Sequence, residues 1–305
     1  MISLTETFVC TFSEKYPECV IEENYDLAAH TTMRVGGKAA VAVFPETAEQ
    51  LCAAVEICAF RGIRHAVLGH ASNVVCSDEG YDGVIIRTEK LCGISVYEDE
   101  IVAECGASLN ALARAALNAG LTGAEFLYGI PGSVGGACYM NAGAYGGQIS
   151  DVLLSVTAYN SVTNTVKEYA AEECNFGYRQ SIFHDNDSLT VLSCRLRLCK
   201  GDREAIGAKM DELISARKEK QPLEYPSAGS FFKRCEGHFT AKLIDDCGLK
   251  GTRVGGAMIS EKHAGFLINY DNASCADVMA LSELVRSVVK EKYGLDIERE
   301  VEYLE

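Results

Sequence analysis

Between Gly123 and Gly147 the chain places eight glycines, at 123, 129, 132, 135, 136, 143, 146 and 147, whereas all 305 residues hold 28. Glycine loses more conformational freedom on folding than any other residue. So dense a run marks backbone that must come very close to something. The sequence leaves open whether that something is neighbouring backbone or a bound group. Ser133 reads as the start of a helix, where exposed N–H groups and the helix dipole favour a pyrophosphate. The run is not G-x-G-x-x-G and the chain has no GK[ST], so neither standard nucleotide fold is supported.

The periodicities on either side mix without regular alternation. After a polar leader, residues 39–44 read as a strand closed by Pro45. Thr47 with Gln50 fits a capping box for a helix whose stripe is Leu51, Val55 and Cys58, ending near Gly62. A short strand at 65–68 runs into Gly69-His70-Ala71-Ser72-Asn73, and 84–86 is the next apolar run. Residues 94–105 look like a hairpin, and Ser108 caps a helix carrying Leu109, Leu112 and Leu117. Strands follow at 152–159, 165–169 and 190–198, then a charged helix at 203–220 striped by Ile206, Met210, Leu213 and Ile214. The last part holds PSAGSFFKR, a helix at about 238–246, a strand at 264–269, a long helix at 276–293 and a final strand in IEREVEYLE. This mixture predicts an α+β fold divided at 1–90, 91–202 and 203–305.

A formal charge of -15 argues against a nucleic-acid partner, though backbone N–H groups can still bind a small phosphorylated ligand. No run reaches the roughly 18 apolar residues of a membrane span, and the opening lacks a signal peptide's basic start and apolar run. The expectation is a cytoplasmic protein without membrane insertion. The 14 cysteines are scattered without C-x-x-C, so buried thiols are expected rather than a metal site or a disulfide scaffold.

Four segments are candidates for chemistry. Arg34-Val35-Gly36-Gly37 and Gly69-His70-Ala71-Ser72-Asn73 offer turns whose N–H groups can form an anion nest. Gly129-Ile130-Pro131-Gly132-Ser133-Val134-Gly135-Gly136, followed by Asn141-Ala142-Gly143, is the second. Phe176-Gly177-Tyr178-Arg179-Gln180-Ser181 presents a permanently charged guanidinium suited to a carboxylate or a developing enolate. Pro226-Ser227-Ala228-Gly229-Ser230-Phe231-Phe232-Lys233 sets a hydroxyl before two aromatics, without the G-x-S-x-G elbow of a hydrolase. Each has a plain alternative: a loop turn, tight packing, a surface ion pair, a turn serine. His263 and Glu300 are open in the same way.

Taken in order, GIPGSVGGACYMNAGAYGG, FGYRQSIF, QPLEYPSAGSFFKR, KLIDDCGLKG and KHAGFLIN resemble the UDP-N-acetylenolpyruvoylglucosamine reductases, over about residues 24–300. That family makes UDP-N-acetylmuramate for bacterial peptidoglycan. The resemblance implies a two-part FAD-binding module of the vanillyl-alcohol-oxidase/PCMH type plus a C-terminal α+β substrate-binding domain. It implies noncovalent FAD, NADPH as reductant, and UDP-N-acetylglucosamine enolpyruvate as substrate, in a ping-pong scheme. FAD is expected on Arg34, Gly36, Gly69, His70, Ser72, Asn73, Ile130, Pro131, Gly132, Ser133, Gly136, Asn141 and Gly143. Catalysis is expected from Arg179, Ser230 and Glu300, and substrate contacts from Tyr178, Lys220, Lys233 and Arg234. No metal is implied. The short spacing from Arg179 to Ser230 resembles the compact subtype of the family. His70-Ala71 stands where glycines are usual, and Thr240-Ala241 where Ala-Gly is usual. A different FAD oxidase, or a nucleotide-sugar binding protein without turnover, are the rival readings.

Overall fold

The computed structural model describes residues 3–235 and 237–305. Its chain divides into two units. One comprises the chain up to Glu23, Val41–His70 and Gly83–Ala216; the other is assembled from Asn24–Ala40, Ala71–Asp82 and Arg217–Glu305.

The first unit begins with a helix where the sequence reading had only a polar leader. In α1 (Leu4–Lys15) the Ser3 hydroxyl accepts from the Glu6 N–H while the Glu6 carboxylate accepts from the Ser3 N–H. Phe8 and Phe12, one turn apart, are fully buried and stacked at 5.3 Å. Each such burial contributes about 1.5–3 kcal/mol. α2 (Ala48–Arg61) starts at Thr47, whose hydroxyl accepts from the Gln50 N–H, and ends at Gly62 in the left-handed region. Its capping box closes one residue early, because Gln50 accepts from the Glu46 N–H at 2.7 Å.

Strands β1 (Val20–Asp26), β2 (Lys38–Phe44), β5 (Tyr81–Arg87) and β3 (His65–Leu68) form a sheet in the order β1-β2-β5-β3, with β3 parallel to β5. A second, antiparallel sheet has the order β12-β11-β13-β7-β6. Its members are β6 (Ile94–Tyr97), β7 (Glu100–Glu104), β11 (Leu153–Asn160), β12 (Thr165–Ala170) and β13 (Leu189–Arg197). Register shifts at Leu153/Ser155 and Thr157/Ala158 interrupt the alternation of β11. Short pairs join β8 (Leu121–Thr122) to β14 (Cys199–Lys200) and β9 (Gly143–Ala144) to β10 (Gly147–Gln148). With α3 (Leu109–Asn118), α4 (Val134–Met140), α5 (Ile182–Asp185) and α6 (Arg203–Lys220), they surround one apolar core that includes Phe12, Leu51, Ile86, Leu112, Leu127, Val156 and Leu196.

In the second unit β4 (Val74–Cys76) pairs in parallel with β18 (Glu302–Leu304). The antiparallel strands β15 (Arg253–Val254), β16 (Ala257–Ile259) and β17 (Leu267–Asn269) accompany α7 (Thr240–Asp246) and α8 (Cys275–Tyr293). α8 is capped by Ser274 and by Asp78, whose carboxylate accepts from the N–H groups of Cys275 at 2.7 Å and Ala276 at 2.9 Å. Met33, Val75, Phe231, Leu243, Leu281 and Val285 form its core.

The fold is α+β, as the mixed periodicities predict. Three elements are shorter than expected: the last strand is only 302–304, α7 starts at 240, and β17 starts at 267 because Phe266 N–H turns back to the His263 carbonyl. No disulfide joins the described cysteines. Burial pushes the thiols of Cys58, Cys105 and Cys174 up to about 12, which leaves them protonated and unreactive. No helix among the described residues is long and apolar enough to cross a membrane.

Candidate active site

At the start of α4, Ser133 Oγ accepts from the Gly136 N–H at 3.3 Å. The N–H groups of Val134 and Gly135 donate to the carbonyls of Ala107 at 2.9 Å and Cys105 at 2.7 Å. The first-turn N–H groups offered to a pyrophosphate by the sequence reading are thus already engaged; they dock α4 onto the 105–107 segment. Several glycines here serve the same packing. A Cβ at Gly135 would lie 2.9 Å from Cys105 Cβ, one at Gly143 2.5 Å from the Gly147 carbonyl, and one at Gly147 2.8 Å from the Phe126 ring. Gly136 is different: its nearest neighbour there is Ser133 Oγ at 3.4 Å, and it is exposed together with Pro131. Ile130 and Gly132 are half-exposed. This rim is one part of the glycine run left open to a ligand.

Gly69 abuts that rim, since a Cβ on it would lie 2.0 Å from Ser133 Oγ. Beyond it the chain turns through Ala71 at φ 47, and the N–H groups of His70, Ala71 and Ser72 donate to nothing among the described residues. A left-handed residue within such a run is how backbone builds an anion site. Alanine sits there at a cost of about 1 kcal/mol, which gives the departure from glycine at this turn a physical meaning. Burial, then the nearby Arg87 charge, lowers the pKa of His70 against an opposing pull from Glu89, so the imidazole is neutral near pH 7.

In the second unit, the hydroxyls of Thr31 and Thr32 are buried with no hydrogen-bond partner among the described residues, and the Thr32 N–H donates to the Ala71 carbonyl at 3.3 Å. Unpartnered buried hydroxyls and open N–H groups fit the oxygens of a dinucleotide such as FAD. Arg34 is left-handed at φ 55 and its carbonyl accepts from Asn269 Nδ2 at 3.1 Å. Gly36 answers to packing, because a Cβ there would lie 2.5 Å from Cys76 Cβ.

Tyr178 and Arg179 form the tip of a two-residue turn closed by Gly177 N–H to the Gln180 carbonyl at 3.1 Å and the reverse bond at 3.4 Å. Arg179 sits at φ 56 with its guanidinium 5.1 Å from the half-exposed Tyr178 ring. Asn141, a left-handed C-cap of α4 and 1% exposed, donates to the Gly177 carbonyl at 2.9 Å. Ser181, fully buried, donates to the Tyr139 carbonyl at 2.7 Å and caps α5. Asn141 and Ser181 thus hold the two feet of the Arg179 turn.

Ser230 follows the left-handed Gly229 (φ 78); it is exposed, and its hydroxyl makes no hydrogen bond among the described residues. Backbone bonds fix what comes next: Phe231 N–H to the Gly265 carbonyl at 2.9 Å, Glu300 N–H to the Phe231 carbonyl at 2.8 Å, and Lys233 N–H to the Glu298 carbonyl at 2.9 Å. Asn73 closes the set, its Nδ2 donating to the Glu300 carbonyl at 3.0 Å and its own carbonyl accepting from the Glu302 N–H at 2.9 Å. Ser230, Glu300 and Asn73 are therefore brought together, although 227 residues separate Asn73 from Glu300.

Lys233 Nζ lies 3.4 Å from a Glu298 carboxylate oxygen, and Arg234 stacks 5.3 Å from the exposed Phe239 ring. Lys220 ends α6, exposed. Thr240 donates to the Lys233 carbonyl at 2.6 Å and accepts from the Cys235 N–H at 3.2 Å, so this departure ties α7 to the lysine segment. Ala241 fits because its neighbour is glycine: a Cβ at Gly265 would lie 3.1 Å from Ala241 Cβ. His263 Nδ1 accepts from the Gly265 N–H at 3.1 Å, and burial lowers its pKa. The sequence reading gave no role to Ser181 and none to Gln148, which accepts from Asn141 at 3.3 Å. Their signals are an N-cap serine and a polar side chain following a glycine hairpin, both too common to single out.

A family model for the C-terminal domain of UDP-N-acetylenolpyruvoylglucosamine reductase matches residues 221–304, and one for an FAD binding domain matches 39–167. The UDP-N-acetylenolpyruvoylglucosamine reductase of Clostridium novyi (strain NT) is 46% identical over 281 residues, 92% of this chain and 91% of that protein. That of Shouchella clausii (strain KSM-K16) is 46% identical over 285 residues, 93% and 91% of the two. The crystal structure of UDP-N-acetylenolpyruvylglucosamine reductase from Thermus caldophilus matches with a TM-score of 0.81 at 35% identity, covering 94% of this chain and 100% of that one.

Proposed function

The chain belongs to the UDP-N-acetylenolpyruvoylglucosamine reductase family, and from that premise we propose how its own residues share the reaction. It is an FAD-dependent oxidoreductase that uses NADPH to reduce the enolpyruvyl group of UDP-N-acetylglucosamine enolpyruvate, giving UDP-N-acetylmuramate for peptidoglycan. The chemistry FAD supplies when bound is hydride transfer, taken from NADPH and given to substrate C3.

The turn Gly69, His70, Ser72 and Asn73, the rim Ile130, Pro131, Gly132, Ser133 and Gly136, and the segment at Arg34 hold FAD noncovalently, whereas Gly36 and Gly143 serve packing. Open N–H groups rather than lysines meet its diphosphate. Hydride arrival at C3 leaves negative charge at C2 that spreads into the carboxylate. Arg179 places a permanent positive charge against it. Glu300, when protonated, donates to the developing carboxylate charge, and Ser230 gives its proton to C2, completing addition across the double bond. Tyr178, Lys220, Lys233 and Arg234 contact the sugar nucleotide.

The observation that carries this reading is the main-chain bond from the Glu300 N–H to the Phe231 carbonyl, which sets the uncommitted Ser230 hydroxyl beside the segment that carries Glu300. The test is an anaerobic absorbance spectrum of the purified protein. Flavin bands bleach with NADPH and return with UDP-N-acetylglucosamine enolpyruvate. Return only with oxygen would point to an oxidase, and a protein that cannot be loaded with FAD would overturn the reading. The division at 1–90, 91–202 and 203–305 is proposed as the functional one, two parts for FAD and one for substrate. Free, largely buried thiols support a cytoplasmic location.

A further inference from the structure

The end of α4 is hydrogen-bonded to the turn that presents Arg179. Arg179 is a non-glycine residue at φ 56, and the turn's own two bonds are 3.1 and 3.4 Å. Backbone of this kind persists only where surroundings over-determine it. The shorter bond to the Gly177 carbonyl comes from Asn141 Nδ2, at 2.9 Å, against 3.4 Å from the Gln180 N–H. The rest of the Asn141 amide is also committed: Nδ2 donates to Gln148 Oε1 at 3.3 Å, and Oδ1 accepts from the Ser150 N–H at 3.2 Å. Both donors are used, and the side chain is 1% exposed, so it has no donor left to offer a cofactor.

We propose that Asn141 is a positioning residue for Arg179, and not an FAD ligand. The inference rests on the reading that Arg179 stabilises charge on the substrate. Asparagine suits the post for two independent reasons. It tolerates the left-handed C-cap at φ 44, and it carries the donor that glycine lacks and ionised aspartate replaces with an acceptor.

The test uses the FAD-loaded enzyme in stopped flow, following flavin reduction by NADPH and then reoxidation by UDP-N-acetylglucosamine enolpyruvate. Asn141→Gly keeps the backbone conformation and removes the clamp. It is expected to retain FAD and the reduction rate, while reoxidation slows on the order of 10- to 100-fold, the scale of a small misplacement of a reacting group. In the Arg179→Ala background, Asn141→Gly adds no further slowing. Loss of FAD, equal slowing of both half-reactions, or effects that multiply in the double variant would each overturn the proposal. If Arg179→Ala alone leaves reoxidation unchanged, the underlying reading of Arg179 fails instead, and the positioning role with it. Asn141→Asp gives a second route should the glycine variant misfold. Its reoxidation deficit relative to wild type narrows as pH falls and the carboxyl regains a proton to donate; a deficit independent of pH would contradict the clamp.

Discussion

Arg179 and Ser230 are both presented by left-handed turns, Arg179 at φ 56 itself and Ser230 just after Gly229 at φ 78, yet they are held in opposite ways. The feet of the Arg179 turn are gripped by side chains, the Asn141 amide and the Ser181 hydroxyl. The Ser230 and Glu300 segments are held by main chain, through Phe231, Lys233 and Glu300 N–H groups, with Asn73 as the side-chain addition. A main-chain ladder survives every substitution except proline. A side-chain clamp is one substitution away from release. The first region is therefore where point changes tune reactivity, and the second is where they alter chemistry while geometry stays put.

The largest expected effect tests the second half of that statement. Ser230→Ala leaves the ladder intact and slows flavin reoxidation by substrate about 10²- to 10⁴-fold, with flavin reduction by NADPH unchanged; equal loss in both steps would show that the ladder, and not the proton, had been disturbed. Next comes Ser181→Ala, which deletes the bond to Tyr139 and the α5 cap. It should cost about 2 kcal/mol in urea unfolding, and a cost near zero would break the comparison. Asn73→Ala removes the bond to the Glu300 carbonyl from a region already held by backbone, so about 1 kcal/mol is expected from the same measurement; a value above that of Ser181→Ala would reverse the ranking. The smallest effect is pH dependence. His70 and His263 have lowered folded-state pKa values, so the stability tied to their neutral forms is present above about pH 6.5 and is lost as pH falls below it. His263→Asn should flatten that slope in pH-dependent melts, and an unchanged slope would remove His263 from the account.

Much of the fold was legible because α2 and α3 carry clear caps, and α2, α3, α6 and α8 carry apolar stripes. α1 was missed although Ser3, Glu6, Phe8 and Phe12 spell a capping box and an apolar edge, because the surrounding residues are polar. β1 has little pattern to read: Tyr25 is its single buried residue. β4 is three residues whose partner strand lies far along the chain, and no local signal encodes such a pairing. In the site, glycine density correctly announced close approach at 129–147, but for Gly135, Gly143 and Gly147 the approaching partner is the protein's own backbone and side chains. Asn141 was legible as a polar residue of a ligand segment. Its actual partners are knowable only once α4 is seen to end beside Gly177.

The parallel pairing of β4 with β18 also has a meaning in time. Glu302 registers with Val74, about 230 residues later in synthesis, and at roughly 5–20 residues per second the early strand waits about 10 to 45 s for its partner. Asp78, which caps α8, waits almost as long. The second unit therefore cannot be completed until residue 304 has been made, so a ribosome stalled at residue 300 would carry a first unit with all its segments and a second unit that still lacks β18.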